Sequence, residues 1–325
     1  MATKNLQTII FLSVFTITLG SSLKIYAQQD PLYTHYMFNK HVYNPAFTGT
    51  NREFICATFL LHNQWTGFEG PNKEKGPVTQ TFSIHGALKN PYLGGIGLYV
   101  VNDEQGFEYT RAFNLTFSGK YDFTFGSLHY GLNGGMVEKG IDGEWEPPEP
   151  GENDPRIPGG KESDMIPDLG AGIYLYTERY FIGASAQHLL GGSFDWGTSI
   201  NDMVLQTYLS GGVNFYWPTN RDILVKPSFL VKIDPAKIQF DINTNVLYKE
   251  RFWAGLQYRQ QDAISLLLGM KLTPELQFGY SYDLTTTELL NYSSGTHEVL
   301  LNYCFKIVTK PRVIIPNIIW TPRYM

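Results

Sequence analysis

Residues 237–248 read KIQFDINTNVLY, and this stretch decides the fold of the chain. Apolar Ile238 and Phe240 alternate with polar Gln239 and Asp241, and the alternation continues to the end of the stretch. Because successive side chains of a β-strand point to opposite faces, the segment has one apolar and one polar face. Its length suits a tilted strand that crosses a membrane, about ten residues, and exceeds the about five or six residues usual in soluble sheets.

The same alternation recurs throughout the region 52–307 and predicts about 14 strands of similar length. An even number of strands leaves both ends of the region on one side of the membrane, as in bacterial single-chain barrels. The predicted strands lie near residues 52–62, 77–86, 93–102, 108–120, 125–137, 167–176, 180–189, 204–216, 222–233, 237–248, 252–260, 263–272, 275–284 and 297–307.

The connections between these strands are of two kinds. Short turns such as 177–179 and 249–251 lie on the side of the termini, whereas long loops such as 63–76 and 138–166 lie on the opposite side. This separation is typical of outer-membrane barrels, while a soluble sandwich would bury its apolar face between two sheets. An unpaired sheet edge is excluded in hydrocarbon, so the first strand must pair with the last. We therefore predict an all-β fold, a closed antiparallel transmembrane β-barrel of about 14 strands with non-barrel N-terminal and C-terminal segments.

The composition agrees with this class and excludes others. Of the 325 residues, 17% are charged and 15% are aromatic, and the formal net charge is −5. These values exclude a disordered chain and a basic nucleic-acid-binding protein. Beyond the N-terminus no apolar run reaches the ~20 residues that a membrane-spanning helix needs. We expect outer-membrane lipid around the barrel and no nucleic acid among its partners.

Residues 1–27 have the pattern of a secretory signal peptide. Lys4 provides a positive charge, an apolar core covers 9–19, and a polar stretch ends at the small residue Ala27. Cleavage after Ala27 would leave Gln28 as the mature N-terminus. The protein is thus expected to reach the outer membrane through the general secretory route.

Three further segments lie outside the predicted strands. Residues 28–51 are rich in aromatic residues and are expected either to fold into the lumen as a partial plug or to cover the periplasmic mouth. Residues 308–325 contain three prolines and several isoleucines, so we expect a periplasmic tail docked on this barrel or on a partner. The acidic, proline-rich region 138–166 is expected to form a long extracellular loop that contacts a partner.

The sequence contains no recognisable catalytic, cofactor-binding or metal-binding motif. The run GGIG at 94–97 precedes no helix, so it favours a bend or a close backbone approach over a dinucleotide loop. His297 and Glu298 form an adjacent His–carboxylate pair without a nucleophile, which makes a poor active site. We therefore predict that the protein is not an enzyme and needs no cofactor.

The 2 Cys residues lie at opposite ends of the predicted barrel. Cys56 is near the start of the first strand, and Cys304 is near the end of the last strand. If the barrel closes through these two antiparallel strands, both sulfurs lie toward the periplasmic rim. Export places them where disulfides persist, so a disulfide across the seam is predicted if the two Cα atoms lie within about 7 Å.

Three stretches resemble the PorP/SprF family of Bacteroidetes outer-membrane proteins: QQDPLYTHYMFNKHVYNPAFTGT at 28–50, GTHEVLLNYCF at 295–305 and TPRYM at 321–325. The first stretch is the most specific. The residues that fit the family pattern are Gln29, Asp30, Pro31, Tyr33, Tyr36, Met37, Phe38, Asn39, Asn44, Pro45, Ala46, Gly49, Gly295, His297, Glu298, Pro322, Arg323 and Tyr324.

This resemblance implies a role in type IX secretion and, in gliding bacteria, in the surface display of large adhesins. It implies that outward loops and lumen bind a secreted adhesin or another type IX substrate, while the termini engage periplasmic type IX components. The residues expected to contact partners are Tyr33, Tyr36, Met37, Phe38, Asn39, Asn44, Pro45, His297, Glu298, Pro322, Arg323 and Tyr324.

Two other functions stay open at this point. A diffusion channel for small or hydrophobic solutes predicts an open lumen and steady ion conductance. An outer-membrane enzyme of lipase or protease type predicts a cluster of Ser or Asp and His near one rim, and the sequence contains no such cluster.

Overall fold

The computed structural model of the protein describes residues 30–68, 76–90, 93–142, 160–196 and 200–306. The predicted signal peptide and C-terminal tail lie outside these ranges. Within the described part of the chain, no helix is long and apolar enough to cross a membrane.

The described ranges contain seventeen strands and three helical turns, in the order seen along the chain. The helical turns are α1 (Lys40–Tyr43) and the 3₁₀ turns Pro45–Phe47 and Glu288–Asn291. The strands are β1 (Phe54–Asn63), β2 (Val78–Ala87), β3 (Leu93–Gln105), β4 (Glu108–Asp122), β5 (Ser127–Ile141), β6 (Glu162–Tyr176), β7 (Tyr180–Gln187), β8 (Ser193–Asp195), β9 (Ile200–Asp202), β10 (Gln206–Val213), β11 (Phe215–Trp217), β12 (Asn220–Ile233), β13 (Ile238–Tyr248), β14 (Phe252–Arg259), β15 (Ala263–Lys271), β16 (Leu276–Thr285) and β17 (Thr296–Lys306).

The sheet closes into a cylinder of 14 antiparallel strands. β1 pairs with β17 along its whole length, from Phe54 opposite Lys306 to Asn63 opposite His297. β10 and β11 are two parts of one wall strand, because both pair with β12 on either side of Asn214. The predicted fold class is therefore confirmed, and each of the 14 predicted strands is present within a few residues of its expected position.

The predicted long loop 138–166 is shorter than expected. β5 continues to Ile141 and β6 begins at Glu162, so the ends of this range extend the sheet. The two-stranded hairpin β8–β9 packs beside this extension, with Phe194 and Trp196 buried against it. This apolar cover explains why the strand pair continues past the length that alternation predicts. The rest of the loop lies outside the described residues.

The two faces of the barrel wall have opposite chemistry. On β4, Phe113, Leu115 and Phe117 are 47%, 50% and 54% exposed, whereas Asn114 and Thr116 are 1% and 0% exposed. Soluble proteins bury apolar side chains and expose polar ones, so this arrangement is inverted. It matches a barrel whose outer face contacts lipid and whose interior is polar.

A disulfide crosses the seam where the cylinder closes. Cys56 lies directly opposite Cys304 in the β1–β17 register, and the two sulfurs are bonded at 2.09 Å. The two Cα atoms are 4.1 Å apart, within the distance that the sequence argument required. The bond lies near the end of β1 that carries Phe54, the terminal rim of the barrel. We call the opposite end, where the long loops lie, the distal rim.

We expect this disulfide to change the mobility of the denatured protein. The bond joins residues 248 positions apart, so the oxidised denatured chain contains one large closed loop. A closed loop is more compact, and the protein boiled without reductant should migrate faster on a denaturing gel than the reduced protein. The Cys56→Ser variant should show one mobility under both conditions. Two identical mobilities of the unaltered protein would contradict the seam disulfide.

Candidate functional site

The N-terminal segment 30–51 lies in the barrel interior, and we call it the plug. Its turns are stabilised locally: the side-chain oxygen of Asn44 accepts a hydrogen bond from the Ala46 amide at 2.9 Å, capping the 3₁₀ turn. Pro45 follows at the first position of that turn, where a missing N–H costs nothing. The amides of Phe38 and Asn39 close a tight turn on the carbonyls of His35 and Tyr36. These short turns let the segment reverse direction inside a narrow space.

Glu298 of β17 holds the distal half of the plug. Its carboxylate accepts the backbone N–H groups of Thr34 at 3.0 Å and of His35 at 2.6 Å. The Nδ1 atoms of His35 and of His62 lie 2.6 Å and 2.8 Å from the same carboxylate. All three charged or titratable side chains are almost completely buried. A buried carboxylate of this kind requires such partners, because an unpaired charge in a buried position is costly.

A second network of hydrogen bonds and ion pairs in the wall begins at Thr34, next to the contact with Glu298. The Thr34 hydroxyl donates to Asp283 at 2.6 Å, and Arg259 lies 3.6 Å from the same carboxylate. Arg259 also donates to Asp241 at 3.2 Å and to Asp262 at 3.3 Å. Arg259 is 2% exposed, so its charge depends on these aspartates for compensation. The plug and three strands of the wall thus share one connected polar network.

The first described residue of the plug, the half-buried Asp30, belongs to another polar cluster. His188, which follows β7, bridges Asp30 and Asp168 with contacts of 3.0 Å on each side. The Tyr208 hydroxyl donates to Asp30 at 2.5 Å, and Lys232 donates to the Asp30 carbonyl. Burial alone would lower the pKa of His188, but the charge of Asp30 and the hydrogen bonds to both aspartates more than offset burial and raise it to about 10. Burial opposes ionisation of Asp30 as well, yet His188 and Lys232 hold the pKa of Asp30 well below its usual range.

The terminal half of the plug is bound to the opposite side of the wall. His41 lies 2.7 Å from the Thr116 hydroxyl of β4. The Asn44 amide donates to the carbonyl of Ile173 at 2.9 Å, and the Ser118 hydroxyl donates to the Thr48 carbonyl at 2.6 Å. Contacts therefore reach the plug from both sides of the lumen.

Glycines in the wall make room for the plug. A Cβ atom on Gly95 would lie 2.6 Å from the Cα atom of Gly49, and one on Gly131 would lie 2.5 Å from the backbone nitrogen of Ala46. Gly49 itself has a φ of +69°, a conformation that glycine adopts without strain. The close backbone approach that the GGIG run predicted is thus present in the structure.

Aromatic side chains fill the centre of the lumen. Tyr33, Tyr36 and Tyr43 are buried in one cluster with Trp253 and with leucines of the wall. The Tyr33 hydroxyl is 2.6 Å from the Thr81 hydroxyl, and the Tyr36 hydroxyl is 2.9 Å from the Ser228 hydroxyl. The rings of Tyr33 and Tyr36 are therefore buried while their hydroxyl groups keep a partner.

The structure brings together most of the residues assigned to partner contacts, but inside the barrel. All of the assigned residues in the plug, and Glu298, are buried or half-buried in the lumen. His297 points outward, where its Nδ1 lies 2.6 Å from the Tyr280 hydroxyl. Pro322, Arg323 and Tyr324 lie outside the described residues. Partner binding by these residues stays a prediction.

Sequence reasoning missed several residues that hold the plug, namely His35, His62, Asp168, His188, Arg259 and Asp283. Alternation marks the strand residues among them as inward-facing, and their charge is a signal that a buried partner exists. The pattern does not give the partner, because it lies far along the chain. In the described part of the chain, no group of three or more His, Cys, Asp and Glu residues is arranged to hold a metal ion.

A closed cylinder of 14 strands with an apolar outer face and an occupied polar lumen defines an outer-membrane β-barrel protein. The family of Type IX secretion system membrane proteins PorP/SprF matches residues 25–303 of the sequence. The chain belongs to this family, as the resemblance of its termini implied. No curated protein sequence matches it significantly.

Solved barrels have a similar fold. The Ralstonia pickettii toluene transporter TbuX is 11% identical, with a TM-score of 0.50 and coverage of 83% of this chain and 94% of the transporter. The CymD monoaromatic hydrocarbon channel is 12% identical, with a TM-score of 0.50 and coverage of 84% and 93%. At these identities the likeness shows the fold alone.

The family and the fold together place the chain in the outer membrane as a component of type IX secretion. In outer-membrane barrels the short turns and termini face the periplasm. The terminal rim is therefore the periplasmic side, and the distal rim is the extracellular side. The family and the similar solved structures are secretion components and channels, and none of them is an enzyme.

Proposed function

We propose that this barrel binds a partner protein secreted by the type IX system and supports its secretion or anchoring at the cell surface. The expected partner is a large adhesin, as used in gliding motility, and periplasmic type IX components engage the terminal side. The observation that carries the proposal is the occupied lumen: the plug binds both sides of the wall through Glu298, Asp30, His41 and Asn44.

The way in which the plug is bound favours a binding protein over an open pore. A diffusion channel needs a continuous water path, and here aromatic and charged side chains of the plug occupy the centre of the lumen. Releasing the plug would break several buried hydrogen-bonded contacts at once. Such contacts cost far more to break than surface contacts do.

The distal rim offers surface for an extracellular partner. Leu190, Leu290 and Tyr292 are exposed on loops at this rim, and Tyr292 is 70% exposed. The β8–β9 hairpin is held in place by a hydrogen bond of 3.1 Å from the Trp196 indole to the Lys139 carbonyl. Exposed apolar groups on an ordered rim are typical of protein-binding surfaces.

The deciding experiment is affinity purification of the tagged protein from detergent-solubilised outer membrane, followed by mass spectrometry. We expect a cell-surface protein to co-purify, and deletion of the barrel to remove that protein from the cell surface. Tyr292→Asp at the distal rim should lower its recovery, whereas Arg221→Asp near the terminal rim should not. Recovery of the barrel alone, together with steady conductance in a planar bilayer, would support the channel instead.

The diffusion channel is the second candidate, and one observation favours it. A cavity of about 800 Å³ lies between the plug and the terminal rim, a size that accommodates a small solute. The fold likeness to hydrocarbon channels agrees with this function but does not argue for it. Steady conductance of the purified protein separates the two candidates.

A further inference from the structure

The cavity at the terminal rim is lined by aromatic and positively charged side chains, and we call it the terminal vestibule. The plug forms its floor with Phe38, Lys40 and Phe47, and the ends of wall strands form its sides. Phe54 is the first residue of β1 and Lys271 is the last residue of β15, so the vestibule lies at the periplasmic opening. Its volume is about 800 Å³.

The lining carries an excess of positive charge. Of the described residues that line it, four are cations, Lys40, Arg52, Lys226 and Lys271, and one is an anion, Glu53. In the described part of the chain, no carboxylate lies within 4.0 Å of the ammonium groups of Lys40, Lys226 and Lys271. This differs from the part of the lumen near the distal rim, where Arg259 is surrounded by aspartates. The described lining of the vestibule therefore has a net positive charge.

Lys40 carries this charge at a cost to stability. Its ammonium group lies 3.5 Å from the centre of the Phe181 ring and 5.6 Å from that of Phe47. Burial and the neighbouring charge of Lys226 lower the pKa of Lys40 to about 7. An apolar side chain at this position would fit the surrounding rings without that cost. A cation in an aromatic pocket is instead suited to binding an anion that brings apolar groups with it.

Unpaired polar atoms on the same lining add a second observation. Trp253 and Asn245 both line the vestibule and are 7% exposed. The indole N–H of Trp253 and the side-chain oxygen of Asn245 have no hydrogen-bond partner among the described residues. Buried polar atoms in folded proteins are usually paired, so these two atoms leave hydrogen-bonding capacity unused beside the vestibule.

We propose that the terminal vestibule binds an acidic, partly apolar peptide segment of a periplasmic partner protein. The carboxylates of that segment pair with Lys40, Lys226 and Lys271, and its apolar side chains pack on Phe38 and Phe181. In one respect the site depends on the proposed function, namely that the terminal side engages periplasmic components. The adhesin is expected at the distal loops, so each site can fail independently of the other.

The chain's own C-terminal segment is a poor occupant by charge. Residues 307–325 contain Lys310, Arg312 and Arg323 and no Asp or Glu. Three cations would be repelled by the four cations of the lining. The charge of the vestibule therefore favours a separate acidic partner.

The test is a peptide-binding measurement on the full-length protein in a neutral detergent. The probe is a fluorescein-labelled eight-residue peptide of alternating glutamate and leucine, and the matched control peptide alternates lysine and leucine. We expect the acidic peptide alone to bind, and its dissociation constant to rise with salt, because exposed charges are screened. Lys226→Gln combined with Lys271→Gln should weaken binding about tenfold, the effect of losing about 1.4 kcal/mol. Lys237→Gln, which removes one positive charge from a distal turn, should leave binding unchanged.

The Lys40→Met variant distinguishes loss of the peptide-binding site from loss of the folded structure. This variant should weaken binding of the acidic peptide while raising the midpoint of thermal unfolding, because it removes an ammonium group that burial and the charge of Lys226 destabilise. Equal binding of both peptides, or unchanged binding by all lysine variants, would overturn the proposal. Tight binding of laurate with no binding of the acidic peptide would overturn it in favour of a fatty-acid site. Co-purification of a surface protein is measured separately and does not depend on these outcomes.

Discussion

Replacing Glu298 by alanine is expected to release the distal half of the plug. The substitution removes the acceptor for the amides of Thr34 and His35 and leaves the buried rings of His35 and His62 without the carboxylate that they contact. Breaking a buried charged pair by removing one partner costs about 3–5 kcal/mol. Hydrogen exchange should show the change directly, because the amides of Thr34 and His35 are protected only while the carboxylate holds them.

Ion conductance is a second measurement of the effect of the Glu298→Ala substitution. We expect the unaltered protein to show no steady conductance in a planar bilayer and Glu298→Ala to show channel openings. The matched control is Glu178→Gln, which removes a carboxylate from an exposed turn at the terminal rim. Protected amides at Thr34 and His35 in the Glu298→Ala variant would contradict the role of this residue.

Replacing Arg259 by glutamine is expected to destabilise the wall itself. Arg259 lies between Asp241 and Asp283 on the strands to either side of the β14–β15 hairpin, and it also reaches Asp262 in the hairpin turn. Without the guanidinium, buried carboxylates face one another with no cation between them. We expect a loss of about 3–5 kcal/mol, seen as a lower midpoint of thermal unfolding in detergent.

A compensating variant tests whether unpaired charge is the cause of the expected loss of stability. Adding Asp241→Asn and Asp283→Asn to Arg259→Leu removes the unpaired carboxylates and should restore most of the lost stability. Arg251→Gln, in an exposed turn, is the matched control and should leave the midpoint unchanged. If the triple variant is less stable than Arg259→Gln, the balance of charges is not what stabilises this part of the wall.

The wall of the barrel was predictable from the sequence because its physical cause is local. Every strand meets lipid on one side and a polar lumen on the other, so alternation appears in each segment independently, as in Ile238 to Tyr248. The strand ends were less predictable. β5 extends to Ile141 because the β8–β9 hairpin covers it, and that cover lies about fifty residues further along the chain.

The contacts of the plug were not predictable, because they join residues far apart in the sequence. Alternation places Glu298 and Asp283 inside the barrel, but it does not show that they accept groups from Thr34 and His35 some 250 residues earlier. The GGIG run at 94–97 predicted a close backbone approach, but it did not indicate that Gly49 is the residue that approaches. Only the closed register of the wall determines which inward side chains meet the plug.

The central claim is that the wall separates lipid from an interior occupied by the plug. Spin labels placed one at a time along β4 test it most directly, because neighbouring positions there face opposite environments. In lipid vesicles, labels at 113, 115 and 117 should collide freely with oxygen, which concentrates in hydrocarbon. Labels at 114, 116 and 118 should be shielded both from oxygen and from a water-soluble relaxation agent. Collision rates without a period of two, or strong water accessibility at 113, 115 and 117, would contradict the account.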